Sequence, residues 1–178
     1  TNDPTFVGAL ASGIDCYVND AFAVSHRAHA SIVGLPRVLP HYAGLLFLDE
    51  VAHLSEALHP KGRSVAILGG AKFETKVPLI EKLLTVYETV VVAGALANDF
   101  FKLKGYTVGS SLVSSFPRER FEGLASNARL ILPTDVTVAS ATETTVKNPS
   151  AVMDAEKIVD VGTETSVRLA QLVSEADY

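Results

Sequence analysis

The chain has 178 residues, of which 48% are hydrophobic and 20% are charged, and its formal net charge is −5. This composition is typical of a globular protein, and no apolar run reaches the roughly 18 residues that a membrane span requires. The acidic charge argues against a general nucleic-acid binder. The single cysteine, Cys16, excludes a disulfide framework and a thiolate metal site, and it fits a reducing compartment such as the cytoplasm.

The first 42 residues predict a helix, a strand and a basic cluster. Asp3 precedes Pro4 in the pattern of a helix start. Residues 14–18 are rich in strand formers, and Asn19 and Asp20 after them favour a turn in which we expect structural roles. Because the chain begins without Met and almost at once with a helix, we expect it to be a piece of a longer protein.

Three basic side chains, His26, Arg27 and His29, fall within four residues of this acidic chain. The arginine fork suits carboxylate and phosphate groups. The spacing of the two histidines also allows zinc, but no cysteine and no obvious third ligand supports that alternative. We therefore predict no metal site here.

Residues 43–58 carry apolar side chains at helical spacing, and Pro60 follows them. We predict one long helix with a domain boundary on it, which gives segments 1–42, 43–60 and 61–178. The apolar stripe of the helix is expected to be core and hinge.

Residues 65–76, VAILGGAKFETK, are the stretch around which the chain is organised. Four apolar residues predict a buried parallel strand, and Gly69 and Gly70 allow a sharp turn after it. A helix follows, with Thr75 as its expected cap and Pro78 in its first turn.

A helix N-terminus beside a glycine turn suits an anion such as phosphate, and Lys72 and Lys76 add two positive charges. The Walker A pattern and the GxGxxG pattern are both absent. The alternative interpretation is a tight turn followed by solvated lysines.

The same unit of strand, glycine and helix recurs toward the C-terminus. The predicted strands are residues 89–93, 129–133 and 157–161. Gly94 follows the first of these and Gly162 the last, while residues 137–155 give no firm pattern. Alternation of this kind predicts an α/β fold with parallel sheets covered by helices in a Rossmann-like three-layer arrangement. The glycines would then meet at one sheet edge, where nucleotides bind.

Several blocks of the sequence resemble phosphoglycerate kinase, in that family's order and spacing. They are YVNDAFAVSHRAHASIVGLP, AILGGAKFETKVPLIEKLL, AGALANDFFKLKGYTVGSSL, LPTDVTVA and DVGTETS. The resemblance covers nearly the whole chain but only the middle part of a family member. It implies reversible phosphoryl transfer from 1,3-bisphosphoglycerate to Mg-ADP, giving 3-phosphoglycerate and ATP in glycolysis.

The resemblance also implies roles for particular residues. Lys76 would stabilise the transferring phosphoryl group and Lys72 would hold its oxygens. Arg27, with His26 and His29, would bind 3-phosphoglycerate. The nucleotide pocket would be lined by Gly69, Gly70, Ala71, Lys72, Lys76, Gly94, Ala95, Val159 and Gly162.

For the domains, the resemblance implies that segment 1–42 ends the 3-phosphoglycerate-binding domain and that segment 61–178 begins the nucleotide-binding domain. The helix between them would join domains that close on the substrates, and the complete protein would be a monomer with Mg²⁺ as its nucleotide-bound cofactor. Ala93, Ala95 and Asp99 depart from the family's usual residues, which bears on nucleotide affinity.

The sequence leaves two alternative functions to consider. The isolated chain could be a nucleotide-binding or structural fragment without turnover, and uncovered apolar faces would then make it associate. For the chain alone this is the preferred hypothesis. A dinucleotide-dependent oxidoreductase is disfavoured because no GxGxxG follows any strand.

Overall fold

The computed structural model describes residues 2–71, 73–115 and 119–178. The chain divides into two compact units, Thr1–His59 and Pro60–Tyr178. The first unit holds a two-stranded parallel sheet and the second holds two three-stranded sheets. This mixed α/β architecture, with parallel sheets flanked by helices, confirms the predicted fold class. None of the described helices combines the length and the apolarity that a bilayer crossing requires.

Helix α1 of the first unit spans Pro4–Ala11, as the sequence predicts. It begins at Pro4 because the Asp3 carboxylate accepts a hydrogen bond from the Phe6 N–H at 2.9 Å. It ends at Ala11, two residues before Gly13, whose φ of 75° turns the chain away from the helix. Val7 is the side chain that this helix buries.

A short parallel pair, β1 (Tyr17–Asn19) and β2 (His41–Ala43), follows α1. Strand β1 begins three residues later than predicted, and β2 was not predicted. The connection between the strands contains two 3-10 turns and one π-helical turn, at Phe22–Val24, Leu35–Arg37 and Ala30–Gly34.

Helix α2 (Leu45–Ala57) is capped by a residue far away in sequence. The Asp20 carboxylate accepts a hydrogen bond from the Phe47 N–H at 2.9 Å. The N-cap itself is Gly44, where a Cβ would collide with the same carboxylate. The expected structural role of Asp20 is therefore confirmed.

The apolar stripe of α2 is not buried, contrary to the prediction that it forms core. No residue of the helix is buried, and Leu45 is 81% exposed. The physical reason is that nothing in the described part of the chain covers this face. Phe47 makes an aromatic contact with Phe22, at a centroid distance of 5.5 Å.

The second unit is built on a parallel sheet in the order β3-β4-β5. These strands are Val65–Leu68, Thr89–Val92 and Leu130–Ile131. The helices that connect or follow them are α3 (Phe73–Val86), α4 (Ala95–Leu103) and α5 (Glu119–Ala125). Strand β3 has the predicted bounds but lies at the sheet edge, so Ile67 is 49% exposed instead of buried.

Helix α3 begins at Phe73, two residues before the cap predicted from Thr75. Phe73 is fully buried and packs against Phe100 of α4 at a centroid distance of 5.6 Å, which anchors the first turn earlier than the cap chemistry suggested. Pro78 consequently lies inside the helix and not in its first turn. It removes one backbone donor there.

The hydrophobic core of the second unit lies between the helices and both of its sheets. Its fully buried aliphatic and aromatic side chains come from β4, β6 and the inner faces of α3 and α4. Among them are Phe73, Val77, Ile80, Val90, Val92, Phe100, Phe101, Val136 and Val138.

The last sheet is antiparallel, which the sequence did not predict. Strands β6 (Val136–Ala139), β7 (Thr144–Lys147) and β8 (Lys157–Val161) pair in the order β7-β6-β8. Helix α6 (Thr163–Glu175) follows β8. The expectation that strand 157–161 joins the parallel sheet is therefore wrong, because its backbone pairs with β6 instead.

Candidate functional site

The ends of β3 and β4 form a glycine edge, which we define as residues Gly69, Gly70 and Gly94. The two strands run parallel with Leu68 opposite Val92. Immediately after them, the Ala93 N–H donates a hydrogen bond to the Leu68 carbonyl at 2.8 Å. The two chain turns therefore begin side by side, as the sequence predicts.

The backbone at this edge requires glycine and leaves open space. Gly94 has φ 61° and ψ −151°, a combination that is essentially restricted to glycine, and Gly70 has φ 141°. Among the described residues, no atom beyond the chain neighbours lies within 4 Å of a Cβ added to Gly69 or Gly94. A flat or anionic ligand can therefore approach the backbone here.

Two helices begin at the glycine edge. Helix α3 starts at Phe73 and α4 starts at Ala95, directly after the turns. The first N–H groups of a helix lack intrahelical acceptors and form the positive end of its dipole, so both helix starts favour an anion.

Lys76 contributes a positive charge to this edge. Its Cε lies 3.8 Å from the position of a Cβ on Gly70, so the side chain runs along the glycine turn. It is half-buried, and within the described part of the chain it has no carboxylate partner. Lys72, the other predicted lysine, lies outside the described residues.

A carboxylate, Asp99, lies one turn into α4. Burial raises the pKa of Asp99, and Glu74 raises it further, while hydrogen bonds from the Ser114 backbone and hydroxyl partly oppose the shift. The sequence marked Asp99 only as a departure from the family pattern. The periodicity of the helix could not predict that Asp99 is partly buried and interacts electrostatically with the carboxylate of Glu74.

Asn98 is a further polar residue that sequence reasoning missed. It is 1% exposed, and its amide nitrogen donates a hydrogen bond to the Leu112 carbonyl at 3.0 Å. Its Oδ1 has no partner among the described residues. The only sequence signal was an asparagine on the apolar face of a helix, between Leu96 and Phe100.

Gly162 does not share the glycine edge of the parallel sheet, because β8 belongs to the antiparallel sheet. A Cβ on Gly162 would collide with the Asp135 carboxylate, so the glycine accommodates a structural contact. Asp135 caps α6 by accepting hydrogen bonds from the backbone N–H groups of Glu164 and Thr165. Val159 of the same strand is 50% exposed.

The basic cluster of the first unit is defined as His26, Arg27 and His29. All three side chains are exposed. Their segment is held by backbone hydrogen bonds, including those from Ile32 and Val33 to the His29 carbonyl at 2.9 Å. No hydrogen bond or ion pair joins these three side chains to another described residue.

Comparison with known proteins decides the family of this chain. The family model described as phosphoglycerate kinase matches residues 1–178, which is the whole chain. The chain belongs to the phosphoglycerate kinase family. The resemblance found in the sequence is thereby confirmed.

Two relatives illustrate the similarity of sequence within the family. A phosphoglycerate kinase of Maricaulis maris is 40% identical over 186 residues, which cover 99% of this chain and 46% of that protein. One from Orientia tsutsugamushi is 37% identical and covers 97% of this chain and 45% of that protein. The chain thus spans about half the length of the phosphoglycerate kinases that it matches.

Solved structures show the same fold. Phosphoglycerate kinase from Coxiella burnetii matches with a TM-score of 0.81 and 39% identity, covering 98% of this chain and 48% of that structure. The enzyme from Pyrococcus horikoshii matches with a TM-score of 0.80 and 25% identity, covering 99% of this chain and 49% of that structure.

Proposed function

We propose that this chain is the central part of a cytoplasmic phosphoglycerate kinase of glycolysis. The reaction is reversible phosphoryl transfer from 1,3-bisphosphoglycerate to Mg-ADP, which yields 3-phosphoglycerate and ATP. Membership of the family supports this assignment. The observation that carries it is the placement of Lys76 along the Gly70 turn, where two parallel strands end and two helices begin.

Phosphoryl transfer needs fixed positive groups more than it needs a base or a covalent nucleophile. The transferring group spreads negative charge over three equatorial oxygens. Donors and cations that are already in place stabilise that charge without reorganising during the reaction. The amine of Lys76 and the N-terminus of α3 are groups of this kind, and Lys72 is assigned to hold the same oxygens.

The nucleotide lies against the glycine edge in this proposal. Gly69, Gly70 and Ala71 contact it through their backbone on one side, and Gly94 and Ala95 on the other. The open space around a Cβ on Gly69 or Gly94, as far as the described residues define it, supports that approach. Val159 and Gly162 form a third wall in the family pattern, and their assignment rests on the resemblance.

The 3-phosphoglycerate site is assigned to the basic cluster. The guanidinium of Arg27 can donate two parallel hydrogen bonds to a carboxylate or phosphate, with His26 and His29 beside it. The exposure of all three side chains, and their lack of partners among the described residues, support binding of a ligand from solution.

Mg²⁺ enters this reaction with the nucleotide. In the described part of the chain, no group of three or more His, Cys, Asp or Glu side chains could hold a metal ion. We assign the ion to the phosphate oxygens of the nucleotide. Bound in that way, Mg²⁺ neutralises phosphate charge.

For the chain by itself, the alternative is a nucleotide-binding fragment without turnover. The exposed faces of α2 and of β3 favour this alternative because they leave apolar surface uncovered. The assigned substrate and nucleotide sites also lie on different units. We therefore expect the isolated chain to bind nucleotide and not to catalyse the reaction.

Two experiments test the assignment. The first is calorimetric titration of the chain with Mg-ADP and, separately, with 3-phosphoglycerate. The second is a coupled assay of ATP-dependent phosphorylation of 3-phosphoglycerate. Lys82, exposed on α3, provides a matched control because Lys82→Gln removes a cation of the same helix away from the glycine edge. Mg-ADP binding that Lys76→Ala weakens only slightly and Lys82→Gln leaves unchanged is the expected result, because the main effect of Lys76 is on turnover. No binding of Mg-ADP would overturn the nucleotide site, and turnover would overturn the fragment hypothesis.

A further inference from the structure

The second unit contains a cleft that the proposed reaction does not use. Its volume is about 430 Å³, which lies within the usual range of about 300–1,000 Å³ for small-molecule sites. The walls come from the end of α4, the β5 strand with the loop after it, the 3-10 turn Pro149–Ala151 and helix α6. No residue of the glycine edge lines it.

Two cations lie at this cleft. Lys104 follows the last residue of α4, and Arg168 is on α6. Both residues are exposed, and neither has a carboxylate partner or a side-chain hydrogen bond within the described residues. None of the described residues that line the cleft is Asp or Glu, although the chain carries a net charge of −5. The cleft is therefore a local concentration of uncompensated positive charge.

Neutral polar groups supplement the two cations. Asn148 lines the cleft, and its Oδ1 is already occupied by the backbone N–H and the hydroxyl of Ser150. Its amide nitrogen has no acceptor among the described residues and remains available as a donor. Two cationic side chains and one amide donor are the groups that bind phosphate oxygens.

The rest of the lining is apolar and partly aromatic. Leu130 and Leu132 are half-buried, and Pro133 is buried. The Tyr106 ring stacks on Phe101, with an interplanar angle of 28° and a centroid distance of 6.5 Å, and both residues line the cleft. A flat apolar group can lie against such a surface while its charged end faces the cations.

We propose that this cleft is a second binding site, which takes a small phosphate monoester carrying a flat apolar group. The phosphate contacts Lys104 and Arg168, and the apolar group contacts Tyr106 and the leucines. The cleft shares no lining residue with the glycine edge. This inference does not depend on the proposed phosphoryl transfer.

The test is calorimetric titration of the chain with phenyl phosphate, with amide shifts followed by NMR. Phenyl phosphate is expected to bind in the millimolar range or tighter and to shift the amides of Ala128 and Thr134. Lys104→Gln and Arg168→Gln are each expected to raise its dissociation constant about tenfold, because each removes a charge-assisted hydrogen bond. Both substitutions are at exposed positions and should leave the fold intact.

Lys82→Gln is the matched control, because it removes an exposed cation of the same unit outside the cleft. The affinity of this variant for phenyl phosphate should be unchanged. Inorganic phosphate and phenol should each bind more weakly than phenyl phosphate. Lys76→Ala should leave phenyl phosphate binding unaltered. The proposal is overturned by absence of saturable binding, by equal effects of the control and cleft variants, or by loss of binding in Lys76→Ala.

Discussion

The Asp135 carboxylate accepts two hydrogen bonds from Thr165, one from the backbone N–H at 2.7 Å and one from the hydroxyl at 2.6 Å. A third hydrogen bond comes from the Glu164 N–H at 2.9 Å. Burial raises the pKa of Asp135, but these hydrogen bonds outweigh burial and hold the pKa below its ordinary value. The start of α6 is thus fixed to the start of β6 by a single side chain.

Replacement of this side chain by its amide is expected to destabilise the second unit. In Asp135→Asn one oxygen becomes an NH₂ group that faces backbone donors, and the charge at the helix start is lost. The free energy of unfolding should fall by about 1–2 kcal/mol. Urea unfolding of the wild-type chain and of the variant measures this difference in unfolding free energy. Glu81→Gln, at an exposed position of α3, removes the same charge and should change stability little; equal losses in the two variants would refute the capping role.

Asp99→Asn is expected to stabilise the chain at neutral pH. Because the folded-state pKa of Asp99 is raised, the folded chain holds its proton more tightly than the unfolded chain does. Stability therefore falls as the pH rises from the ordinary pKa, about 3.9, through the raised one. The asparagine Oδ1 can keep both hydrogen bonds from Ser114 and carries no charge.

Thermal unfolding as a function of pH distinguishes this pH-dependent stabilisation by Asp99→Asn from a gain in stability that is the same at every pH. The advantage of Asp99→Asn should be present at pH 7 and should vanish below the ordinary pKa, where the wild-type carboxyl is also neutral. Glu74→Gln should give a smaller gain in the same direction, because Glu74 contributes to the raised pKa. A gain that is independent of pH would contradict the electrostatic cause.

The two glycines with free space around them should respond differently to alanine. Gly94→Ala places a Cβ on a backbone with φ 61° and ψ −151°, and we expect a loss of about 1–3 kcal/mol in unfolding free energy. In Gly69→Ala the new Cβ meets no atom of the described residues and the backbone φ is not positive, so stability should be retained while Mg-ADP affinity falls. Chemical unfolding and calorimetry on both variants test this. Unchanged ADP affinity in Gly69→Ala would place the nucleotide elsewhere.

Lys76→Ala in a complete phosphoglycerate kinase carrying this segment is expected to lower kcat much more than ADP affinity. A group that acts mainly on developing charge contributes to the transition state, and its removal costs about two to three orders of magnitude in kcat. Steady-state kinetics in both directions and ADP titration give the two quantities. The control is again Lys82→Gln. An unchanged kcat would end the assignment of Lys76 as a catalytic residue.

The isolated chain is expected to self-associate through the exposed face of α2. Leu45 and Leu48, one helical turn apart, are 81% and 51% exposed, and an apolar face of this kind is normally covered. Sedimentation velocity should show species larger than a monomer that dissociate in a Leu45→Lys, Leu48→Lys double variant. Val38→Lys alters an exposed apolar residue outside the helix and should have no effect. A wild-type monomer with a sharp two-state melt would contradict this prediction.

Local chemistry made the first helix and the glycine edge predictable from the sequence. Asp3 and Pro4 mark the start of α1 without help from other residues, and four apolar residues before Gly69 define β3 with its observed bounds. The side-by-side turns after β3 and β4 followed from parallel pairing of neighbouring strand-helix units.

Contacts between distant residues explain the errors. The start of α3 is set by burial of Phe73 against Phe100, which lies 27 residues away and outweighs the capping preference of Thr75. Strand β8 pairs with β6 and not with the parallel sheet, and all but the first residue of β6 lies in segment 137–155, which gives no firm pattern. The exposure of α2 could not be predicted either, because helical periodicity indicates an apolar face but does not indicate which residues cover it.

The caps of α2 and α6 have a consequence for amide hydrogen exchange. Each helix has glycine at its N-cap and takes its capping carboxylate from a residue more than 20 positions earlier, Asp20 for one and Asp135 for the other. The N–H groups of Phe47 and Thr165 are therefore protected by tertiary contact, whereas the Phe6 N–H of α1 depends on its neighbour Asp3. Exchange at the first two sites should report opening of tertiary structure, and exchange at Phe6 should report only fraying of a helix end.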